Sequence, residues 1–270
     1  MQDFEKIVAS GTEAALQAGA LLMEKTRSGF KVAHKGETNL VTEADIAAEQ
    51  LIVSRLRKDF PDHAILAEEN HSNARRGQYT WVIDPLDGTT NYAHGYPVFA
   101  VSIGLEVDGE LEWGIVYNPN TDESFTARRG QGAFLNGGRL KVSKTATLDK
   151  SLLVTGFPYD VRTNPDNNLD YFAGFMLRSQ AVRRIGSASL DFCYLAAGRF
   201  DGFWELELHP WDMAAGVLIA REAGATVTDF GGAPLSIYQL RCVASNGLIH
   251  KQMLEVLAEV AALTLRQRRT

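Results

Sequence analysis

The densest run of reactive side chains is Trp81-Val82-Ile83-Asp84-Pro85-Leu86-Asp87-Gly88-Thr89-Thr90-Asn91. An apolar, strand-like stretch runs there into two carboxylates three residues apart, then a glycine and two hydroxyls. Acids at a strand end, with Pro85 stiffening the turn and Gly88 letting backbone approach a ligand closely, suit a hard-cation site open on one side. Asp-Gly-Thr is also an ordinary hydrophilic turn, and the block alone does not choose between the two. Two further segments share the design. Ala64 to Ala67 runs into Glu68-Glu69, and Glu205 to Asp212 joins a strand to a helix through His209-Pro210-Trp211. Single acids at strand ends are common; three such places along one chain are what a cation site assembled by folding requires.

The elements that must position these acids can be read from periodicity. Phe4, Ile7, Val8, Ala15, Ala18, Leu21 and Leu22 recur at the 3.6-residue period, which predicts an amphipathic helix from Phe4 to Met23. A second helix is expected from Glu43 to Asp59, with Pro61 beyond its end. Its start, Thr42-Glu43-Ala44-Asp45, reads as a capping box with Asp in place of Glu, which gives Asp45 a purely structural role. From residue 60 to 142 the texture changes to short β-branched and aromatic runs: Ala64 to Ala67, Tyr79 to Ile83, Phe99 to Val107, Glu112 to Tyr117 and Ser124 to Ala127. Turn signals such as Asp108-Gly109 and Asn136-Gly137-Gly138 separate them, predicting a largely antiparallel sheet. After Ser151 strands and helices alternate, with helices expected at 168–178, 189–197, 211–223 and 250–264. The expectation is an α+β half over residues 1–145 and an α/β half over 146–270, joined in one compact unit.

Composition limits the functions available. With 270 residues the chain can bury roughly 75% of the surface it exposes when unfolded, so no disulfide framework is needed. Cys193 and Cys242 are not spaced as metal ligands and read as buried free thiols. The formal charge of −6 argues against direct nucleic-acid binding. No membrane-length apolar run and no signal-peptide core are found, so a cytoplasmic protein with no membrane partner is expected. The six histidines make no pair at metal spacing, and His209 reads as a packing or turn residue. The basic end Arg266-Gln267-Arg268-Arg269 reads as a solvated helix terminus that favours cations. Asn70-His71-Ser72 matches a glycosylation sequon, which carries no meaning in a cytoplasmic protein.

Taken together, Glu68-Glu69, the Asp84 to Asn91 block, Gly186-Ser187-Ala188 and Trp211-Asp212-Met213-Ala214-Ala215-Gly216 resemble the inositol monophosphatase family. That family sits in the superfamily of Mg-dependent, lithium-sensitive phosphatases that also holds fructose-1,6-bisphosphatase. The motifs follow the family's order over nearly the whole chain, and Asp-Pro-Leu-Asp-Gly-Thr with a later Trp-Asp is its specific mark. The resemblance implies a layered α-β-α-β-α sandwich and metal ligation by Glu68, Asp84, Asp87, Asp212 and the Leu86 carbonyl. About two or three Mg²⁺ ions per site would then activate a water without any covalent nucleophile. Four such acids repel one another without metal, so a loose empty site is expected.

The resemblance further makes Thr89 the hydroxyl that orients the water and Asp45 its hydrogen-bonded partner, with Glu68 the competing proton acceptor. Spacing decides neither this nor whether Asp45 only caps its helix. Asp87, Gly88, Thr89, Gly186, Ser187, Ala188, Glu205 and Asp212 would meet the substrate, with Glu205 accepting hydrogen bonds from its hydroxyls; an exposed strand acid is the plain alternative for Glu205. Lys35-Gly36-Glu37 falls where relatives carry a loop beside the metals, although its spacing to Asp45 is a residue tighter than in the animal enzymes. The implied activity is hydrolysis of inositol 1-phosphate or a related small polyol or sugar phosphate by a homodimer. Fructose-1,6-bisphosphatase, histidinol-phosphatase, NADP(H) phosphatase and 3′-phosphoadenosine 5′-phosphate phosphatase are the alternatives on the same scaffold. An interaction protein of the transcription and RNA-processing machinery is the alternative of another class.

Overall fold

The computed structural model describes residues 4–34, 40–69 and 77–267. Lys35-Gly36-Glu37 and Asn70-His71-Ser72 lie outside the described residues, as do the side chains of the basic C-terminal run. In chain order the elements begin with α1 (Phe4–Ser28), β1 (Val32–His34), β2 (Leu40–Thr42), α2 (Glu43–Asp59), β3 (Ala64–Ala67), β4 (Tyr79–Asp87) and α3 (Thr89–Ala93). Five strands follow: β5 (Ala100–Val107), β6 (Glu110–Asn118), β7 (Glu123–Arg128), β8 (Gly132–Leu135) and β9 (Gly138–Arg139). The remainder comprises β10 (Leu152–Thr155), α4 (Leu169–Met176), β11 (Ala181–Arg183), α5 (Ala188–Ala196), β12 (Gly202–Leu206), α6 (Pro210–Glu222), β13 (Thr226–Thr228), β14 (Arg241–Ser245) and α7 (His250–Gln267).

Alternation along the strands fixes the layers. In β4, Trp81 and Ile83 join Ile7, Ala14, Ala48 and Ile52 of α1 and α2 on one face of the large sheet, while Val82 joins α5 and α6 on the other. In β12, Phe203 faces that same central helical layer and Trp204 faces α4 and α7. The layers are therefore α1/α2, the seven-stranded sheet, α5/α6, the five-stranded sheet and α4/α7, the α-β-α-β-α sandwich that was expected. Close approach of α6 to the large sheet is specified by glycine. Gly104 and Gly114 pair across β5 and β6, and a Cβ on either would stand 2.7 Å from Ala214 Cβ or 2.8 Å from Ala215 Cα. That contact sets the height at which the first turn of α6, carrying Asp212, meets the strand ends.

The structure departs from the sequence expectations in several places. The first helix runs on to Ser28, through exposed helix-forming residues that carry no apolar period, and stops at Gly29 with φ +87°. The large sheet is antiparallel except at one edge, where β3 and β4 run parallel. The second sheet is mixed, parallel across β11, β10 and β12 and antiparallel across β12, β14 and β13. The β1–β2 hairpin, α3, β8 and β9 were not predicted, each being too short to show a period. Both cysteines are buried and free.

Candidate functional site

Asp84 and Asp87 are three residues apart, so on a regular strand their side chains would point to opposite faces. They do not, because β4 is bulged between them: Asp84 pairs with Ser102 and Asp87 with Ala100, partners only two residues apart. Pro85 and Leu86 occupy the bulge, where a proline's missing N–H costs no ladder bond, and the extra residue brings both carboxylates to one side. The Leu86 N–H returns to Asp84 Oδ1 at 3.0 Å and holds the bulge closed. Glu68 follows the end of β3 beside them, its N–H donating to the Ile83 carbonyl at 3.3 Å.

Asp45 and Asp212 are placed by another device, used twice. Each is the third residue of a helix and accepts the backbone N–H of the residue before that helix, Thr42 at 2.8 Å and His209 at 2.6 Å. In Asp45 that oxygen, Oδ2, also takes the Thr42 hydroxyl at 2.5 Å, while Oδ1 accepts the Thr89 hydroxyl at 2.9 Å. The capping role and the contact with Thr89 therefore coexist on one carboxylate. The Thr89 hydroxyl has the Leu86 carbonyl as its other acceptor, at 3.1 Å. The His209 ring stacks on Trp211.

Glu68, Asp84, Leu86, Asp87, Thr89 and Asp212 line one cleft of about 930 Å³, together with Gly88, Gly186, Ser187, Ala188, Asp191 and Glu205, while Asp45 touches it through Thr89. Gly88 has φ +98°, and a Cβ there would stand 3.0 Å from the Val98 carbonyl oxygen and 3.2 Å from that of Gly186, so only glycine fits. Asn91 ties the same loops together, its Nδ2 donating to the Val98 and Ile185 carbonyls at 2.7 and 2.8 Å. Ser187, expected at the substrate, gives its hydroxyl to Asp87 Oδ2 at 2.6 Å; the N–H and hydroxyl of Ser189 reach the same oxygen at 2.7 and 2.5 Å. The start of α5 thus holds the acid that β4 presents. Glu205 is buried rather than an exposed strand acid, and its carboxylate lies where a Cβ on Gly156 would stand, 1.9 Å from Oε1.

Burial first, then the charges of neighbouring acids, pushes Asp84 and Asp212 well above the usual carboxylate range. Asp45 and Asp87 are raised by burial and drawn back by their hydrogen bonds, to Thr42 and Thr89 in one case and to Ser187 and Ser189 in the other. Burial moves Glu205 up to about 8, with the charge of Asp87 adding and Arg184 opposing.

The donor set fits a hard divalent cation. It is all oxygen, and its acids raise one another's pKa, the mark of a site short of positive charge. Asp84 and Asp212 each give one oxygen to a backbone N–H, and the other accepts no hydrogen bond from a described residue, which suits one-oxygen ligation. Among the described residues no three acid, imidazole or thiol side chains form a ready-made cage for one ion.

Two residues of the site escaped the sequence reading. Glu49 of α2 is fully buried and accepts the Glu69 N–H at 2.7 Å, fixing the chain just after Glu68. Asp191 of α5 is a buried acid at the cleft wall. A lone acid on a helix carries no local signal of either role.

The family model described as the inositol monophosphatase family matches residues 3–263. An inositol-1-monophosphatase of Synechocystis sp. is 46% identical over 261 residues, covering 95% of this chain and 90% of its own length. A protein of Pseudomonas aeruginosa named Nus factor SuhB is 46% identical over 248 residues, covering 89% of this chain and 92% of its own. The solved structure of an inositol monophosphatase from Anabaena (Nostoc) sp. superimposes with a TM-score of 0.86 at 44% identity, over 95% of this chain and 96% of that one.

Proposed function

The chain belongs to the inositol monophosphatase family, and from that membership we propose that it is a Mg²⁺-dependent phosphatase of inositol 1-phosphate or a related small polyol phosphate. The observation that carries this reading is the bulge in β4, which turns Asp84 and Asp87 to one side beside Glu68 and Asp212. Those four carboxylates and the Leu86 carbonyl would hold the metal, whose bound charge would offset that of the phosphate and lower the pKa of a water. Thr89 orients the attacking water, and Asp45 holds the Thr89 hydroxyl in place through Oδ1. Glu68 is the competing proton acceptor. Backbone at Gly88 and Thr89 faces the phosphate at the start of α3, and Glu205 with the Gly186–Ala188 loop faces the alcohol.

The test is phosphate release with Mg²⁺ from inositol 1-phosphate, fructose 1,6-bisphosphate, NADP, histidinol phosphate and 3′-phosphoadenosine 5′-phosphate. Preference for inositol 1-phosphate supports the reading, and preference for another ester moves it to that substrate. A second reading is favoured by relatives that are named Nus factor SuhB: an interaction role that needs no turnover. No phosphate release from any of the five would select it.

A further inference from the structure

Among the described residues, Asp191 is the one acid of the cleft with a fully buried oxygen that accepts no hydrogen bond. It is 1% exposed, and its Oδ1 is buried with no hydrogen-bond partner among the described residues. An acceptor buried without a donor is destabilising, the more so when charged. Its position in the first turn of α5 lets the helix dipole favour a negative charge, but a dipole donates no hydrogen bond to Oδ1. The residue lines the same cleft as Glu205; burial first, then the charges of Glu205 and Asp87, disfavours ionisation of its carboxyl, and Arg184 opposes the rise in both Asp191 and Glu205. Arg184 in turn lies over the Phe157 ring, 5.9 Å from its centroid, on the cleft wall. No donor of the described residues, Arg184 included, reaches Asp191 Oδ1.

We propose that Asp191 is a second hydroxyl acceptor beside Glu205, so that the cleft selects phosphate esters whose alcohol offers this wall two hydroxyls rather than one. The inference rests on the reading of the cleft as a polyol-phosphate site. It adds to it a residue that contacts the substrate's alcohol and takes no part in the chemistry at phosphorus. Asp191→Ala removes the acceptor and Asp191→Asn keeps one neutral acceptor oxygen.

The experiment measures kcat and KM with Mg²⁺ for inositol 1-phosphate and for p-nitrophenyl phosphate, whose leaving group has no hydroxyls, together with the thermal midpoint of each variant. Asp191→Ala is expected to raise KM for inositol 1-phosphate by about 10- to 100-fold, the range of leaving one buried donor without its acceptor. The loss on that ester should exceed the loss on p-nitrophenyl phosphate by at least about tenfold, with a thermal midpoint held or raised because an unmet buried acid is gone. Asp191→Asn should recover most of the loss. Equal losses on both esters, an unchanged KM for inositol 1-phosphate, or an Asn variant as impaired as the Ala variant would each overturn the proposal. The last of these would mean that charge is needed and the partner is a cationic group. Turnover of inositol 1-phosphate by the unmodified protein decides the substrate reading separately. If another hydroxyl-bearing ester is the one hydrolysed, the same split is read on it, and if none is, both inferences fall.

Discussion

Where β4 ends and α6 begins, each acid gives an oxygen to protein donors: Asp84 to one N–H, Asp212 to one and Asp87 to three groups, the Ser187 hydroxyl just before α5 and the N–H and hydroxyl of Ser189 within it. On the wall built by β12 and α5, Glu205 and Asp191 are just as buried, and no hydrogen bond opposes the rise in either one's pKa. The two regions therefore lack different things. The first is short of positive charge, because its acids raise one another. The second has a cation nearby, Arg184, but no described donor reaches Asp191 Oδ1. In a cleft lined by acids on both sides, the ligand proposed for each wall is the one that would meet its need, a cation on one and hydroxyl groups on the other.

The largest effect should come from the cation wall. Asp87→Asn is expected to lower kcat by about 10³-fold on every ester at saturating Mg²⁺, since it removes charge where the transition state needs it. The folded protein without metal should be as stable or more so, because like-charge repulsion is relieved. Activity within about tenfold of the parent would break the comparison at its first wall.

Next in size is Thr89→Ala, expected to lower kcat by about 10²-fold on inositol 1-phosphate and p-nitrophenyl phosphate alike, as loss of an oriented water should. Asp45→Asn should follow it, and the double variant should be little worse than either single if Asp45 acts through Thr89. Fully multiplicative losses would separate the two residues. On the wall built by β12 and α5, Glu205→Ala should raise KM for inositol 1-phosphate by about tenfold or more beyond any change on p-nitrophenyl phosphate. Gly156→Ala should imitate it more weakly, because the added Cβ must displace the Glu205 carboxylate. Normal inositol-phosphate use by that variant would show that the position of Glu205 does not matter.

The smallest effect serves as a control on stability away from both walls. His63 accepts the Trp81 indole N–H through Nδ1 at 3.0 Å, between the rings of Phe60 and Tyr79. Burial holds its pKa below the usual 6.5 in the folded state, so the unfolded chain takes up the proton first. Its contribution is intact above about 6.5 and is lost as pH falls through the lower folded value. Urea unfolding at pH 7.5 and 5.5 should show a loss that shrinks in His63→Gln; an equal loss in that variant would place the titration elsewhere.

How far these walls were legible depended on how local each cause was. The Asp84 to Asn91 block, Glu68-Glu69 and Asp212 stand out because each is an acid beside a strand-like run or a strand-to-helix joint, a signal carried within a few residues at each place although the three places lie far apart in the chain. The bulge is not legible, since what makes it one is the pairing of Asp84 and Asp87 with Ser102 and Ala100, across a strand that the block does not encode. Asp45 reads as a cap, and it is one; its second oxygen meets Thr89 only after forty-four residues of chain have folded back. Ser187 illustrates the limit in the other direction, as a residue placed at the site by its motif whose hydroxyl bonds Asp87. Glu49 and Asp191 give no local sign because their roles arise from what is missing or met around them in three dimensions. Of the five layers, the apolar stripe of α1 and the change from a strand-rich half to an alternating half are carried by the sequence, whereas Trp81-Val82-Ile83 and Phe203-Trp204 are apolar on both faces, so the order of the layers comes from the family resemblance.

The measurement that bears most directly on the two-wall account is the ratio of kcat/KM for inositol 1-phosphate to that for p-nitrophenyl phosphate, in the unmodified protein, Thr89→Ala and Glu205→Ala. The account predicts that Thr89→Ala lowers both values and leaves the ratio within about twofold, whereas Glu205→Ala lowers the ratio by about tenfold or more. A ratio that shifts with Thr89, or that holds when Glu205 is removed, would contradict it.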